Sequence, residues 1–431
     1  MKFKSLATIA LATVATVSLA ACGNDKKEAS TASSEKSDDK IVTKLDGTTT
    51  ITFWHAMAGG QGEALKKITD EFMTKHPEIK VTLQNQSTYP DLQAKINATL
   101  QSPKDLPTIT QAYPGWLYSA ASDKMLVDLK PYMTNKTIGW GDQEKIRTSL
   151  LEGAQIKKTQ YGVPFNKSTE MLFYNADMLK EYDVKVPTTM AELKDAAKTI
   201  YEKSNGAVVG AGFDSLNNYY SIGLKNEGVN FNKDLKLDSK QSKSVISYYG
   251  EGIDKGYFRV AGSDKYLSGP FANKKIAMYI GSSAGEAYTA KDTKGKFAYG
   301  VAARPSKYNL QQGTDIYMFN SASEQQRTAA FEFMKYLASP DVQKEWALAT
   351  GYMPIVDSVI NSDAYKKSDM KVPGAVASAT KNLFSIPVEE NTDSAYNEMR
   401  AIMENIYAHP LKDEDKIIKD SVSQLEQVWN Q

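Results

Sequence analysis

Gly281-Ser282-Ser283-Ala284-Gly285 is the one place where these 431 residues spell G-x-S-x-G, the turn on which hydrolases present a nucleophilic serine. Such a serine needs a histidine base within hydrogen-bond reach. Only His409 lies downstream, in Tyr407-Ala408-His409-Pro410 beside a helix-breaking proline, and no His-Gly-Gly-Gly element supplies an oxyanion hole. A surface serine hydrolase is therefore an alternative with half its machinery missing. Metal chemistry has less to build on, because His55, His76 and His409 are the only histidines and show no ligand-like spacing. Gly162 and the other lone glycines make no Walker-type phosphate loop. No metal and no cofactor is expected.

Cys22 is the only cysteine, so its thiol has no disulfide partner within the chain. Its setting gives it another task. Lys2 and Lys4 precede an uncharged run from Leu6 to Leu19, long enough for a signal-peptide core and short for a membrane span. The run ends in Leu19-Ala20-Ala21-Cys22-Gly23, small residues before a thiol that a diacylglycerol can modify. The expectation is a lipoprotein signal over 1–21 and a lipid anchor at Cys22; a plain cleaved signal with a chance cysteine is the other reading. Residues 22–46 are almost devoid of apolar side chains and read as a flexible tether. The chain is thus expected on the extracytoplasmic face of a cell membrane, as on a Gram-positive surface, held by lipid alone.

About 385 residues remain, too many for one ordinary core and suited to two lobes. Net charge is +1 and falls to about −1 once Lys2 and Lys4 leave, which argues against nucleic acid or an anionic bilayer as partner. The pattern is α/β. Thr49–Phe53 alternates like a strand, Gly59-Gly60-Gln61-Gly62 opens a helix with Leu65, Ile68 and Phe72 on one stripe, and Ile79-Val81-Leu83 alternates again. Further helices are predicted over 190–201 behind Thr188-Thr189, over 323–338, and over 413–429 with Ile417, Ile418, Val422, Leu425 and Trp429 inward. A buried strand is predicted over 276–280. Strand and helix alternate throughout, so parallel-rich mixed sheets covered by helices follow.

Five stretches carry a resemblance: Thr50-Ile51-Thr52-Phe53-Trp54-His55-Ala56-Met57, Val163-Pro164-Phe165-Asn166-Lys167-Ser168-Thr169, Leu172-Phe173-Tyr174-Asn175, Phe297-Ala298-Tyr299-Gly300-Val301 and Thr350-Gly351-Tyr352-Met353-Pro354. In this order they resemble the family-1 extracellular solute-binding proteins of ABC importers over essentially their whole length, and most of all the glycerol-3-phosphate-binding branch. The resemblance implies a two-lobe periplasmic-binding-protein-like fold of type II with the ligand cleft between lobes. Lobe one would be 47–163 with 303–353, and lobe two 165–300 with 356–431, with crossings near 163–165, 301–304 and 352–356. It implies a monomer that closes on a small polar ligand and hands it to a two-subunit membrane permease with a cytoplasmic ATPase. It does not imply an enzyme.

For the ligand, the resemblance points to Ser168, Ser282, Ser283, Gly313, Tyr352 and Arg400 around a phosphate, and to Tyr89 on the polyol side, where Tyr220 is a further candidate in place of the branch's tryptophans. Hydroxyls, backbone amides and a guanidinium suit an oxyanion; spacing alone favours reading the three serines as caps and Arg400 as a surface helix charge. Two departures stand out. Pro114 occupies the position where the branch places a carboxylate, and Asn217-Asn218-Tyr219-Tyr220 replaces a tryptophan pair. A glycerol- or sugar-phosphate is one expected ligand and a neutral oligosaccharide the alternative, with Trp54, Tyr113, Trp116, Tyr219, Tyr220 and Tyr317 as candidate stacking rings. A pure adhesin would need no cleft.

Overall fold

The computed structural model describes residues 41–431; the signal segment, Cys22 and most of the expected tether lie outside the described residues. The strands are β1 Thr49–His55, β2 Ile79–Asn85, β3 Ile109–Ala112, β4 Gly162–Ser168, β5 Glu170–Asn175, β6 Ala211–Phe213, β7 Phe258–Val260, β8 Met278–Ser282, β9 Tyr299–Ala303, β10 Asn309–Leu310, β11 Gln312–Met318 and β12 Leu383–Phe384. They build two five-stranded sheets, β2-β1-β3-β11-β4 and β7-β6-β8-β5-β9, with β10-β12 as a short separate pair.

Each sheet is half parallel and half antiparallel. β1 runs parallel to β2 and β3, and β6 to β7 and β8. β11 opposes β3 and β4, and β5 opposes β8 and β9. The parallel halves come from strand–helix–strand units, which need a crossover. The antiparallel halves come from strands that pass between the sheets. Thus the sheets are mixed but less rich in parallel pairs than the strand–helix alternation alone suggests. β4 leads into β5 through Thr169, and β9 returns to β11 by way of Arg304. Met353 touches the first of these crossings, its N–H donating to the Lys167 carbonyl at 2.8 Å.

Local chemistry explains the helices that flank the sheets. Gly59–Lys75 buries Leu65, Ile68 and Phe72 at helical spacing and stops at His76, before Pro77. Thr189 and Glu192 form a reciprocal capping box on Met190–Lys203, as Ser323 and Gln326 do on Glu324–Leu337. Pro340 begins the next helix, Pro340–Thr350, as well as ending the approach to it. Glu414–Trp429 buries Ile418, Leu425 and Trp429, with Ile417 and Val422 at the margin of that stripe. The first sheet packs on a core around Phe53, Phe72, Phe333 and Trp346, the second on one around Phe213, Tyr219, Tyr249 and Met399.

The end of the expected tether is not loose. Ile41 and Leu45 pack against the first core, and the Asp46 N–H donates to the Gln325 side chain at 3.0 Å. Two apolar side chains within six residues suffice to dock this stretch. Among the described residues no helix is long and apolar enough to cross a membrane.

Candidate functional site

In open α/β sheets ligands lie outside the carboxyl ends of the parallel strands. At that edge of the first sheet, Tyr89 opens helix Tyr89–Thr99 after β2, and Tyr113 and Trp116 follow β3. The three rings touch edge-on or tilted, with centroids 5.2–6.2 Å apart. Tyr352 joins them, its hydroxyl 3.1 Å from that of Tyr89. Trp346 backs Tyr352 with a nearly parallel ring at 5.8 Å and is itself stacked on Phe165 at 4.7 Å. The result is an aromatic wall of the half-buried Tyr89, Tyr113 and Trp116, backed by the buried Tyr352.

A buried polar chain holds that wall in place. Asn166 donates to the Tyr89 hydroxyl at 2.8 Å and accepts from Gln111 and Thr314 at 3.1 and 2.8 Å. Gln111 in turn accepts from the Ala56 N–H. Gly313, with φ +88°, lets β11 pass so close to β4 that a Cβ would collide with the Asn166 carbonyl. Burial keeps the Tyr89 and Tyr113 hydroxyls protonated far above neutrality, so both remain donors.

Two ion pairs mark the crossings. Lys167 Nζ meets Asp315 Oδ1 and the Gly313 carbonyl, each at 3.0 Å. Arg304 Nε meets Glu170 Oε2 at 3.0 Å. All four side chains are at most 3 % exposed.

From the second sheet's side comes a carboxylate that the sequence did not announce. Asp393, at the start of helix Thr392–Tyr407, accepts from Gln93 Nε2 at 2.8 Å and from the Trp116 side chain. A Cβ on Gly115 would stand 3.3 Å from Asp393 Cβ. Pro114 offers no acceptor, yet a carboxylate is present one residue away, delivered from the opposite side. Tyr396, one turn along that helix, bonds Asn218, and Asn218 also reaches Glu170.

The structure brings together several of the predicted residues. Ser168 pairs with Gln312 beside Gly313. Ser283 donates its N–H to the Thr169 carbonyl, its buried hydroxyl has no partner, and its carbonyl would lie 3.2 Å from a Cβ on Gly351. Tyr89, Ser168, Ser283, Gly313 and Tyr352 are thus linked around the crossings. Ser282 acts as a cap, accepting from the Ala284 N–H. Tyr220 is fully buried with its hydroxyl 2.6 Å from Ser242, inside the second core. Arg400 stands with its side chain 59 % exposed, paired with Glu404 at 2.9 Å. It lies about 10 Å along the helix from Asp393, at 1.5 Å per residue. Of the proposed stacking rings Trp54, Tyr219 and Tyr317 are core residues, each with its polar atom bonded internally, so only Tyr113 and Trp116 face the cleft.

Residues 67–372 match the family model for bacterial extracellular solute-binding proteins. The chain belongs to that family. It is 25 % identical over 372 residues to the sn-glycerol-3-phosphate-binding periplasmic protein UgpB of Escherichia coli K12, covering 80 % of this chain and 83 % of that one. Its fold is that of the GacH receptor of Streptomyces glaucescens, solved unliganded and with acarbose (TM-score 0.75, 20 % identity, 89 % and 99 % of the two chains covered). UgpB of Mycobacterium tuberculosis in complex with glycerophosphocholine is equally similar in fold (TM-score 0.75, 17 % identity, 89 % and 100 % covered). The two sheets and their helices are therefore the two lobes of a type II periplasmic-binding-protein fold. The chain is a solute-binding protein of an ABC importer, of an extracellular or periplasmic family, and not an enzyme.

The hydrolase geometry is missing as well: His409 Nδ1 bonds the Asn405 carbonyl at 2.7 Å, while the Ser283 hydroxyl is unpartnered. Burial lowers the imidazole of His55 to about 4, so in this solute-binding protein it is a neutral core group that accepts from the Met57 N–H.

Asp214 follows β6 and accepts from the Leu267 N–H at 2.6 Å. Burial pushes its carboxyl up to about 7. Between pH 4 and 7 the folded protein then holds a proton that the unfolded chain has released, so this group's contribution falls as pH rises through that window. Asp214→Asn keeps an acceptor for Leu267 and cannot titrate. The stability of wild type relative to Asp214→Asn should drop by on the order of 3 kcal/mol from pH 4 to 7. Parallel unfolding curves across that range would contradict the assignment.

Proposed function

We propose that the chain is a lipid-anchored receptor that closes two lobes, 47–163 with 303–353 and 165–300 with 356–431, on a sugar. The observation that carries this is the character of the cleft. Tyr89, Tyr113 and Trp116 present an aromatic wall backed by the buried Tyr352, Asp393 and Asn218 present hydroxyl acceptors, and the two cations buried at the crossings are already matched to Asp315 and Glu170. Ring faces and neutral donors suit a polyhydroxylated, uncharged solute. The complex of the GacH receptor with acarbose supports the same reading.

The second reading is a glycerol- or sugar-phosphate. It is favoured by the buried, unpartnered hydroxyl of Ser283 next to Gly351, and by the glycerol-3-phosphate-binding relative. The test is a thermal-shift panel of malto- and fructo-oligosaccharides, raffinose, sn-glycerol 3-phosphate and glycerophosphocholine on residues 41–431. A ligand at a hundredfold over its Kd stabilises by about 2.7 kcal/mol. Calorimetry on variants then separates the readings. With a sugar, Tyr89→Ala should cost about tenfold and Arg400→Ala less than twofold. A thirtyfold loss in Arg400→Ala, as expected when a desolvated charge pair is broken, would move the assignment to the phosphate. Ligand should also reduce the radius of gyration, because contacts from both lobes favour the closed form.

The anchor is tested separately. Cys22→Ala should abolish incorporation of labelled fatty acid and release the protein from membranes; unchanged partitioning would refute the lipid anchor.

A further inference from the structure

Away from the cleft, the second lobe carries a cavity of about 540 Å³ between helix Lys240–Asp254 and the turn Leu411–Asp413 that leads into helix Glu414–Trp429. Ser244, Ser247 and Tyr248 form one wall, and Leu411, Glu414 and Asp415 the other. Leu411 and Glu414 also border a smaller chamber of about 30 Å³, room for one water-sized group. None of the cleft residues Tyr89, Tyr113, Trp116, Tyr352 and Asp393 lines either space.

Acidic residues in a first helical turn are ordinary, because the helix dipole favours them there. The other carboxylates of the large cavity are matched: Glu251 by Lys194 at 2.6 Å and Lys255 at 2.5 Å, and Asp415 by Lys243 at 2.7 Å. Glu414 is not. It is 8 % exposed, its Oε1 accepts from the Ser247 hydroxyl, and its Oε2 is buried without a partner. That oxygen lies so close to Gly250 that a Cβ there would stand 2.6 Å away, and Gly250 lines the small chamber. Burial raises the Glu414 carboxyl above the ordinary glutamate range, the Ser247 bond opposes the rise, and the Asp415 charge adds to it. An ionised carboxylate held in this way lacks a counter-charge.

The free polar side-chain atoms of the small chamber are all acceptors. Asp254 and Glu414 bring carboxylates. The Tyr407 hydroxyl is already donated to the Ile246 carbonyl at 3.1 Å. His409 Nδ1 meets the Asn405 carbonyl at 2.7 Å, so the neutral ring donates through Nδ1 and keeps Nε2 as an acceptor. Ile253, Ile406 and Leu411 are the apolar part of the lining. A guest that suits these groups donates hydrogen bonds, accepts none and carries positive charge, which describes an ammonium with its three N–H groups. We propose that the chamber binds the ammonium head of a small primary amine against Glu414, with the carbon chain crossing Leu411 into the larger cavity, as a second ligand site separate from the cleft. The proposal does not depend on which solute the cleft takes.

The experiment is thermal unfolding of the purified protein in amine-free phosphate buffer, with n-butylammonium chloride as the probe. Tetramethylammonium chloride at equal ionic strength is the control, a cation without N–H donors. Butylammonium should raise the unfolding midpoint saturably, and tetramethylammonium should not. Glu414→Gln keeps an acceptor for Ser247, so without amine it should unfold no earlier than wild type. It should bind butylammonium about thirtyfold more weakly or worse, as when a desolvated charge loses its partner. Asp254 is exposed, so Asp254→Asn keeps the fold and should weaken the amine by up to about fivefold. Equal effects of the two cations on wild type, or undiminished butylammonium binding in Glu414→Gln, would overturn the site. So would a Glu414→Gln variant that unfolds early while butylammonium leaves wild type unmoved, since Glu414 would then be a structural carboxylate bridged by water.

Discussion

Lys167→Met is expected to cost about 3–5 kcal/mol of folding stability, the usual penalty for removing one partner of a buried ion pair. Lys167 Nζ is 3.0 Å from Asp315 Oδ1 in a site that leaves the two side chains 3 % and 0 % exposed. Burial pushes the Asp315 carboxyl up, and the Lys167 ammonium is what opposes that rise. Without the ammonium, Asp315 must keep an uncompensated charge or take up a proton. The deficit should therefore shrink as pH falls, since protonation removes the stranded charge. Lys167→Met with Asp315→Leu should recover much of the loss, because two apolar groups leave no ion unpaired. By contrast, losing the exposed Lys66–Asp70 pair should cost no more than about 0.5 kcal/mol. Denaturant unfolding of the four proteins decides the matter. A loss below about 1 kcal/mol in Lys167→Met, or a double variant no better than the single, would refute this account of the crossing.

Trp346→Ala should have an effect of the same size by a different route. The ring is fully buried between Phe165 and Tyr352, and emptying such a site typically costs about 3–5 kcal/mol in lost burial and cavity. The indole N–H has no partner, so no hydrogen bond is lost with it. Trp346→Phe should accordingly recover most of the stability. The same change reaches the cleft: Tyr352 loses the surface that orients it, and with it the 3.1 Å contact to Tyr89 loosens. Affinity for the ligand that the thermal-shift panel finds should fall severalfold in Trp346→Ala even under conditions where the variant is fully folded, while Trp346→Phe binds nearly as wild type. An Ala variant of unchanged affinity would show that Tyr352 does not depend on Trp346 for its place.

The sequence by itself determined the local pieces and their class. Helical stripes such as Leu65-Ile68-Phe72, caps such as Thr189 with Glu192, and the alternation of β1 depend on neighbours within a few residues, so spacing reveals them. The ordered motifs pointed to the family, and with it to two lobes and to Tyr89, Ser168, Gly313 and Tyr352 near the crossings. Tertiary structure alone decided which faces meet. Gln93 and Asp393 bond across 300 residues of chain and Tyr89 and Tyr352 across 263, and no periodicity reports such a pairing. That is why Asp393 escaped notice while Pro114 looked like a lost acceptor. It is also why Tyr220, chemically indistinguishable in sequence from Tyr113, turns inward to Ser242. A helix position fixes a side chain's direction about its own axis, but only the packing of that helix decides whether the direction is a core or a cleft.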